Sequence, residues 1–262
     1  MHPARASFGG RALGKGPPHR ERAAERLRGR PVQESTTSKA ALVVGAGVAG
    51  IKTAFELAEM GVPVHLVEAG PNLGGILSQL DKQFPTNHCG MCLLLPNAPK
   101  QNMGEFCLRR DLAHPLIDVM AYSELEALEG EAPAFTARIR KKARLVKEAL
   151  CTGCGKCTEV CPVEVPDEFE KGLSKRKAIY LKHPAAVPNV YAIDGACCTK
   201  CGKCVEACPV DCIDLEAKDE TIDLDVGAVV LATGLTEVDP GYLRELGHGR
   251  YPNVVTSTAF ER

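Results

Sequence analysis

The chain has 262 residues, room for one large domain or two modest ones, and its 45% hydrophobic and 25% charged residues are the proportions of a soluble globular protein. A net charge of −1 gives no electrostatic reason to bind nucleic acid or an anionic membrane surface, and no run of about 18 apolar residues offers a membrane span. The thirteen cysteines are odd in number, fall at short intervals and have no legible secretory signal ahead of them, so they point to metal ligation in a reducing cytoplasm rather than to disulfides.

Residues 1–39 are rich in Arg, Gly, Pro and Ala and read as a disordered basic tail. Glu21, Glu25 and Glu34 argue against a transit peptide, and a start codon assigned too far upstream accounts for the segment equally well.

Ala41-Leu-Val-Val44 is a short buried strand that runs into Gly45-Ala-Gly47-Val-Ala-Gly50. A helix follows, with Ile51, Ala54, Phe55 and Ala58 on one face and Gly61 and Pro63 closing it. Val64-His-Leu-Val67 is the next strand and ends at Glu68. This is β-α-β with G-x-G-x-x-G at its first turn and an acid about 20 residues on, the fingerprint of dinucleotide binding. Gly45 serves the tight turn, Gly47 the approach of a pyrophosphate and Gly50 the packing of helix on strand, while Glu68 accepts from ribose hydroxyls. The bland reading is an apolar βαβ unit whose glycines serve packing alone.

Asn72-Leu-Gly74-Gly75 follows closely, and then Cys89-Gly-Met-Cys92 and Cys107. Those three cysteines are candidate ligands of an additional cluster lacking an evident fourth cysteine. A redox-active or merely buried C-x-x-C is the alternative. His88, beside Cys89, is a candidate proton donor or ligand, though a lone loop histidine is more often neither. Phe135-Thr-Ala-Arg-Ile-Arg140 alternates as a strand.

Two runs then repeat one pattern. Cys151-Thr-Gly-Cys154-Gly-Lys-Cys157-Thr-Glu-Val-Cys161-Pro162 and Cys198-Thr-Lys-Cys201-Gly-Lys-Cys204-Val-Glu-Ala-Cys208-Pro209 are both C-x-x-C-x-x-C-x-x-x-C-P. A cubane needs four tetrahedrally placed thiolates; a tight loop presents three, and the proline turns the chain after the fourth. Zinc ligands come as separated pairs, which leaves half of these spacings unexplained. The runs resemble those of bacterial two-cluster ferredoxins, in which the fourth cysteine of each run ligates the other cluster. That resemblance implies one 4Fe–4S cluster on Cys151, Cys154, Cys157 and Cys208, and another on Cys198, Cys201, Cys204 and Cys161. Gly153, Gly155 and Gly202 lie where backbone amides approach the sulfurs. Cys197 and Cys212 fit no ligand slot and read as buried free thiols.

Ala228-Val-Val-Leu-Ala-Thr233-Gly234 is an apolar strand ending in Ala-Thr-Gly. Together with Gly74 and Gly75 it resembles flavoproteins with two dinucleotide-binding domains, in which the Ala-Thr-Gly segment closes over the flavin nucleotide. FAD is therefore favoured over a nicotinamide nucleotide.

The expected fold is α/β: a Rossmann-like FAD-binding domain of that two-domain type, incomplete, over residues 40–145 and 221–262, with a bacterial-type α+β two-cluster ferredoxin domain inserted at 146–220. This order resembles the heterodisulfide reductase A-subunit family. The resemblance extends over Gln79-Leu-Asp-Lys-Gln-Phe-Pro-Thr-Asn87 leading into Cys89-Gly-Met-Cys92, Cys161-Pro-Val-Glu-Val-Pro166, Arg176-Lys-Ala-Ile-Tyr180, Val187-Pro-Asn-Val-Tyr191 and Tyr251-Pro-Asn-Val-Val-Thr-Ser257. It implies an electron-transfer oxidoreductase component carrying FAD and two 4Fe–4S clusters, with a third cluster as a candidate. Its partners would be other heterodisulfide-reductase-like subunits or a redox protein, and flavin-based bifurcation is part of what the family implies. No acid, base or nucleophile is nominated. The family continues beyond the position of Arg262 with more nucleotide-domain sequence, so the chain reads as an N-terminal part, a truncated form or half of a split gene. A non-catalytic cluster carrier on a vestigial nucleotide fold is the alternative. A glutamate-synthase-like or dihydropyrimidine-dehydrogenase-like electron-input component is a third reading, although those place their clusters ahead of the flavin fold.

Overall fold

A computed structural model describes residues 39–80, 114–183 and 186–262. Cys89, Cys92, Cys107 and His88, and all but the last residue of the 1–39 tail, lie outside these residues.

Strand β1 (Ala40–Val44), helix α1 (Val48–Glu59) and strand β2 (Val64–Glu68) form the β-α-β unit. β3 (Ile117–Ala121) extends it, followed by β4 (Ser123–Glu131) and β5 (Ala134–Lys141). The cysteine-rich segment holds the short helices α2 (Lys156–Glu159) and α3 (Lys203–Ala207). Two small antiparallel ribbons accompany them: β6 (Glu164–Pro166) with β7 (Lys175–Lys177), and β8 (Ile179–Tyr180) with β9 (Ala192–Ile193). The chain then enters β10 (Glu220–Leu231) and ends in α4 (Ser257–Glu261).

Among the described residues, six strands make one sheet in the order β3-β2-β1-β10-β5-β4. β10 serves both halves. Its end, Ala228 to Leu231, pairs parallel to β1, while its start, Glu220 to Val226, pairs antiparallel to β5. The apolar strand legible at Ala228–Leu231 is thus the last third of a longer one. Its first half, Glu-Thr-Ile-Asp-Leu-Asp-Val, alternates polar and apolar residues because one face is solvated there, and its second half is continuously apolar.

The core lies on both faces of the parallel strands. Val43 and Leu66 pack with Ile51, Ala54 and Ala58 of α1, whose i, i+3, i+7 spacing puts them on one stripe. Leu42 and Val67, one residue out of phase, pack on the other face with Met120, Ile139 and Val226. The cysteine-rich segment has its own small core of Val146, Ile179, Val190, Ile193 and Ile213, with Cys204 and Cys212 buried in it. The described residues nonetheless belong to one compact unit.

The segment leaves and rejoins the sheet at one place. Lys141 of β5 and Glu220 of β10 are rung partners. Just beyond them Val146 bridges Ile213, Lys147 N donates to the Cys212 carbonyl at 2.7 Å, and Asp214 N donates to the Leu145 carbonyl at 3.0 Å.

Candidate cofactor sites

The turn between β1 and α1 is built by close approach. Gly45 has φ +101°, and a Cβ there would lie 2.3 Å from the Ala232 carbonyl oxygen; a Cβ on Gly50 would lie 1.8 Å from the Gly45 carbonyl oxygen. Gly47 is different: a Cβ on it meets no atom within 4 Å. Packing therefore explains Gly45 and Gly50 but leaves Gly47 facing open space, where a bound group can come close to the backbone. Gly47 is also the N-cap of α1, which has no side-chain cap, so amides of its first turn remain to be satisfied. This geometry fits a dinucleotide pyrophosphate.

Glu68, at the end of β2, folds over the same turn. Its Oε2 accepts from Ala46 N at 2.8 Å and its Oε1 from Gly70 N at 2.9 Å. The carboxylate thus shapes the loop directly, in addition to the ribose role expected of it. Gly74 N donates to the Ala46 carbonyl at 2.8 Å, and Gly75 lies against Gly47, with its would-be Cβ 3.1 Å from the Gly47 Cα. Gly74 has a φ of +117°, which favours glycine, and at Gly75 it is the close approach to Gly47 more than its φ of +55° that favours glycine. From the other side Ala232 N donates to the Val44 carbonyl at 2.8 Å, which brings Thr233 and Gly234 to the end of β1.

Next to the doublet is a cleft with ≈ 1040 Å³ of empty space. Gly75 and Gln79 line it from the nucleotide side, Leu235 and Thr236 from just after Ala-Thr-Gly, and Arg176, Tyr180 and Lys182 from the cysteine-rich segment. Burial pulls the Lys182 ammonium below the ordinary lysine range, against the attraction of Glu68 and Glu168. Arg176 is buried, pairs with Asp194 at 2.8 Å and Glu168 at 3.1 Å, and stacks on Tyr180 with its guanidinium 4.1 Å from the ring centre. Burial pushes the Tyr180 phenol up to about 12 even with that cation on it. Lys171, Arg176 and Lys182 thus line the cleft together with Asp167, Glu168 and Glu237, so its wall carries both charges in equal number beside a protonated phenol. Sequence reasoning missed Lys182, since nothing local marks a lysine that becomes buried only through contacts with a segment far away in the chain.

The two cysteine runs surround two cavities. Cys151, Cys154, Cys157 and Cys208 line one, with ≈ 320 Å³ of empty space; Cys161, Cys198, Cys201 and Cys204 line the other, with ≈ 330 Å³. Each cavity thus takes three thiols from one run and the fourth from the other. The loops can curl because Gly155 and Gly202 adopt left-handed φ of +83° and +77° at the starts of α2 and α3. Four thiols around a largely apolar hollow, with Cys154 and Cys201 at its exposed side, are a donor set that fits a 4Fe–4S cubane, whose iron prefers thiolate. Burial pushes the Cys157 thiol up to about 12 and raises Cys204 as well. For Cys208 burial also acts upward, but the amides of Cys212 and Val210 bring it below the ordinary thiol value. Iron binding must therefore displace a proton at Cys157 and Cys204 against the effect of burial.

The structure separates the two cysteines left without a slot. Cys197 is half-buried, not buried, and its thiol donates to the Asp194 carbonyl at 3.6 Å. Cys212 is buried, but it lines the first cavity with its Sγ 3.4 Å from the Cys208 Sγ. Aligning the two runs would have drawn attention to it, because Cys212 stands four residues after Cys208 where Val165 stands four after Cys161.

One segment joins the cavities to the nucleotide turn. Asn72, buried, donates from Nδ2 to the Pro188 carbonyl at 2.8 Å, and Leu73 N donates to the Val187 carbonyl at 2.8 Å. Asn189 packs on Gly153, where a Cβ would lie 2.6 Å from its Nδ2, and the Tyr191 hydroxyl faces Gly155.

Two family models match: a 4Fe-4S dicluster domain over residues 150–213, and an NAD(P)-binding Rossmann-like domain over 43–107. Among curated proteins, the second iron-sulfur A-subunit of CoB--CoM heterodisulfide reductase from Methanopyrus kandleri is 48% identical over 85% of this chain and 32% of its own length. The iron-sulfur A-subunit of CoB--CoM heterodisulfide reductase from Methanocaldococcus jannaschii is 41% identical over 91% of the chain and 35% of its own. The A-subunit of H(2):CoB-CoM heterodisulfide,ferredoxin reductase from Methanothermobacter thermautotrophicus is 40% identical over 85% and 32%. The chain spans about a third of the length of these relatives.

Proposed function

This chain belongs to the heterodisulfide reductase A-subunit family over the part of that protein it spans, and from that premise we propose that it is the segment that moves electrons between FAD and two 4Fe–4S clusters, to or from a partner protein. The observation that carries this reading is the pair of cavities in which three thiols of one run meet the fourth of the other, the first of them tied by Asn72 and Leu73 to the turn that bears Gly74 and Gly75. When bound, FAD supplies exchange of electron pairs and the clusters supply single-electron steps.

The residues divide the work. Cys151, Cys154, Cys157 and Cys208 hold one cluster, and Cys198, Cys201, Cys204 and Cys161 hold the other. Gly47 admits the pyrophosphate, Glu68 braces the loop and takes the adenosine ribose, and Gly74, Gly75, Thr233 and Gly234 close around the flavin nucleotide. Lys182 and Arg176 offer hydrogen-bond donors to the cleft, and apolar side chains pack around the thiols of the two cavities. None of these side chains needs to act as acid, base or nucleophile. The name of the Methanothermobacter thermautotrophicus relative couples a heterodisulfide with ferredoxin. By extension this chain would serve a complex whose other subunits take electrons to two acceptors, the arrangement flavin-based bifurcation requires.

Iron, sulfide and flavin counted per chain after anaerobic purification, with EPR of the reduced protein, test the reading. About eight irons, interacting 4Fe–4S signals and one FAD support it. Clusters without FAD would make the chain a cluster carrier on a nucleotide fold. Zinc, or no metal, would overturn it.

A further inference from the structure

The first cavity is lined by five thiols, one more than a cubane takes. Besides Cys151, Cys154, Cys157 and Cys208 it is lined by Cys212, whose Sγ lies 3.4 Å from the Cys208 Sγ and whose backbone N–H donates to that same sulfur at 3.4 Å. The second cavity has no counterpart. The residue four positions after Cys161 is Val165, and besides its four thiols the cavity is walled by side chains such as Ala178, Ile193 and Leu215. The backbone of Cys212 is fixed, since its carbonyl accepts from Lys147 N at 2.7 Å and the next residue, Ile213, bridges Val146. Its thiol is thus held beside the Cys208 sulfur by the neck of the whole segment.

Resting on the cluster reading above, we propose that Cys212 is a positioning residue of the first cluster: its S–H donates to the Cys208 sulfur and raises the reduction potential of that cluster. An iron-bound thiolate carries no proton, so once Cys208 is a ligand Cys212 is the only one of the two sulfurs that can donate. Donors to ligand sulfurs offset the extra negative charge of the reduced cluster and so raise its potential. In the second run the sequence counterpart of Cys212 is Val165, which has no donor, and the second cavity is lined by no fifth thiol; the donor to its Cys198 sulfur is a backbone amide, Lys200 N at 3.4 Å. The two halves of the repeat thus differ by one thiol donor while alike in spacing. The site with that donor is the one whose Gly153 loop packs on Asn189, in the segment hydrogen-bonded to the Asn72–Leu73 turn.

The test is an EPR-monitored redox titration of the anaerobically prepared chain, with iron counted on each sample. Wild type must hold about eight irons, and failure there would sink the cluster reading itself. Given that, Cys212→Val, which copies the second half of the repeat, is expected to keep about eight irons and move one midpoint potential negative while the other stays in place. Cys212→Ala gives the same readout should the larger valine disturb assembly, and Cys212→Ser, which keeps a donor, should recover most of the shift. Two unmoved potentials, or two that move together, would overturn the inference. So would loss of about four irons in Cys212→Ala, since Cys212 would then be a ligand and not a donor.

Discussion

Asn72 and Pro188 lie 116 residues apart in sequence, yet the Nδ2 of the buried Asn72 donates to the carbonyl of the half-buried Pro188 at 2.8 Å. Asn72 stands two residues before Gly74 and Pro188 one residue before Asn189, which packs on the Gly153 loop. The bond therefore couples the flavin doublet to the first thiol cavity through very few atoms.

Removing that amide leaves a half-buried carbonyl without its donor, at a cost of about 1 kcal/mol. Asn72→Ala should accordingly melt several degrees lower, and it should lose both flavin and iron faster on desalting than wild type does. A variant that melts lower but keeps both cofactors would mean that the bond stabilises the fold without coupling the two sites.

Gly47 and Gly50 make a controlled pair. Gly47 has an ordinary φ of −78° and open space at its Cβ position, so Gly47→Ala should leave the stability within about 0.5 kcal/mol of wild type and still lower the flavin content sharply. Gly50→Ala drives a methyl to 1.8 Å from the Gly45 carbonyl oxygen and should destabilise the protein itself by about 1–3 kcal/mol or more. Thermal unfolding with flavin fluorescence on the same samples separates the two effects. Unchanged flavin in Gly47→Ala would show that the open space is not the pyrophosphate site.

The lining of the cavities predicts which cysteines act together. Cys198→Ala combined with Cys161→Ala should remove one cluster and leave about four irons, as either change does alone. Cys154→Ala combined with Cys161→Ala should remove both. If the first pair emptied the protein and the second left four irons, each run would be closing its own cluster and the crossed arrangement would be wrong.

Glu237 ties the stretch after Ala-Thr-Gly to the rest of the molecule. Its carboxylate accepts from Lys171 Nζ at 2.9 Å and from the Thr258 hydroxyl, and these bonds, Lys171 foremost, lower its pKa to about 2. A carboxyl whose folded pKa is depressed contributes stability above its unfolded value, and that contribution fades as pH falls towards the folded value. The difference in melting temperature between wild type and Glu237→Gln should therefore be full above about pH 5 and shrink between there and about pH 2. Measuring both proteins stripped of metal keeps acid loss of clusters out of the comparison. A difference independent of pH would show that the neutral carboxyl makes the same bonds equally well.

Much of this arrangement can be read from local pattern. β1, α1 and β2 follow from apolar periodicity and the glycine spacing, because each is set by contacts between residues close in the chain. The grouping of the cysteines follows from the ferredoxin-like spacing of the two runs. What local pattern does not carry is the dual use of β10, whose first half pairs with β5 and second half with β1, since register is decided by partners that lie far off in sequence. Lys182 and Asn189 escape for a similar reason, whereas Cys212 shows itself once the two cysteine runs are aligned. The roles of the first two come from what they face across the fold, and no neighbour in the chain announces it.

The rungs from Lys141↔Glu220 to Phe135↔Val226 have one more consequence. In topology β5 and β10 are the two arms of a hairpin whose turn is the whole stretch 142–219, thiol cavities included. Loop closure becomes costlier only with the logarithm of length, so the host sheet pays little more to close over this cargo than over a short turn. A flavin fold of this kind can therefore acquire, exchange or shed its electron-carrying load at a single joint without re-registering any strand of its own.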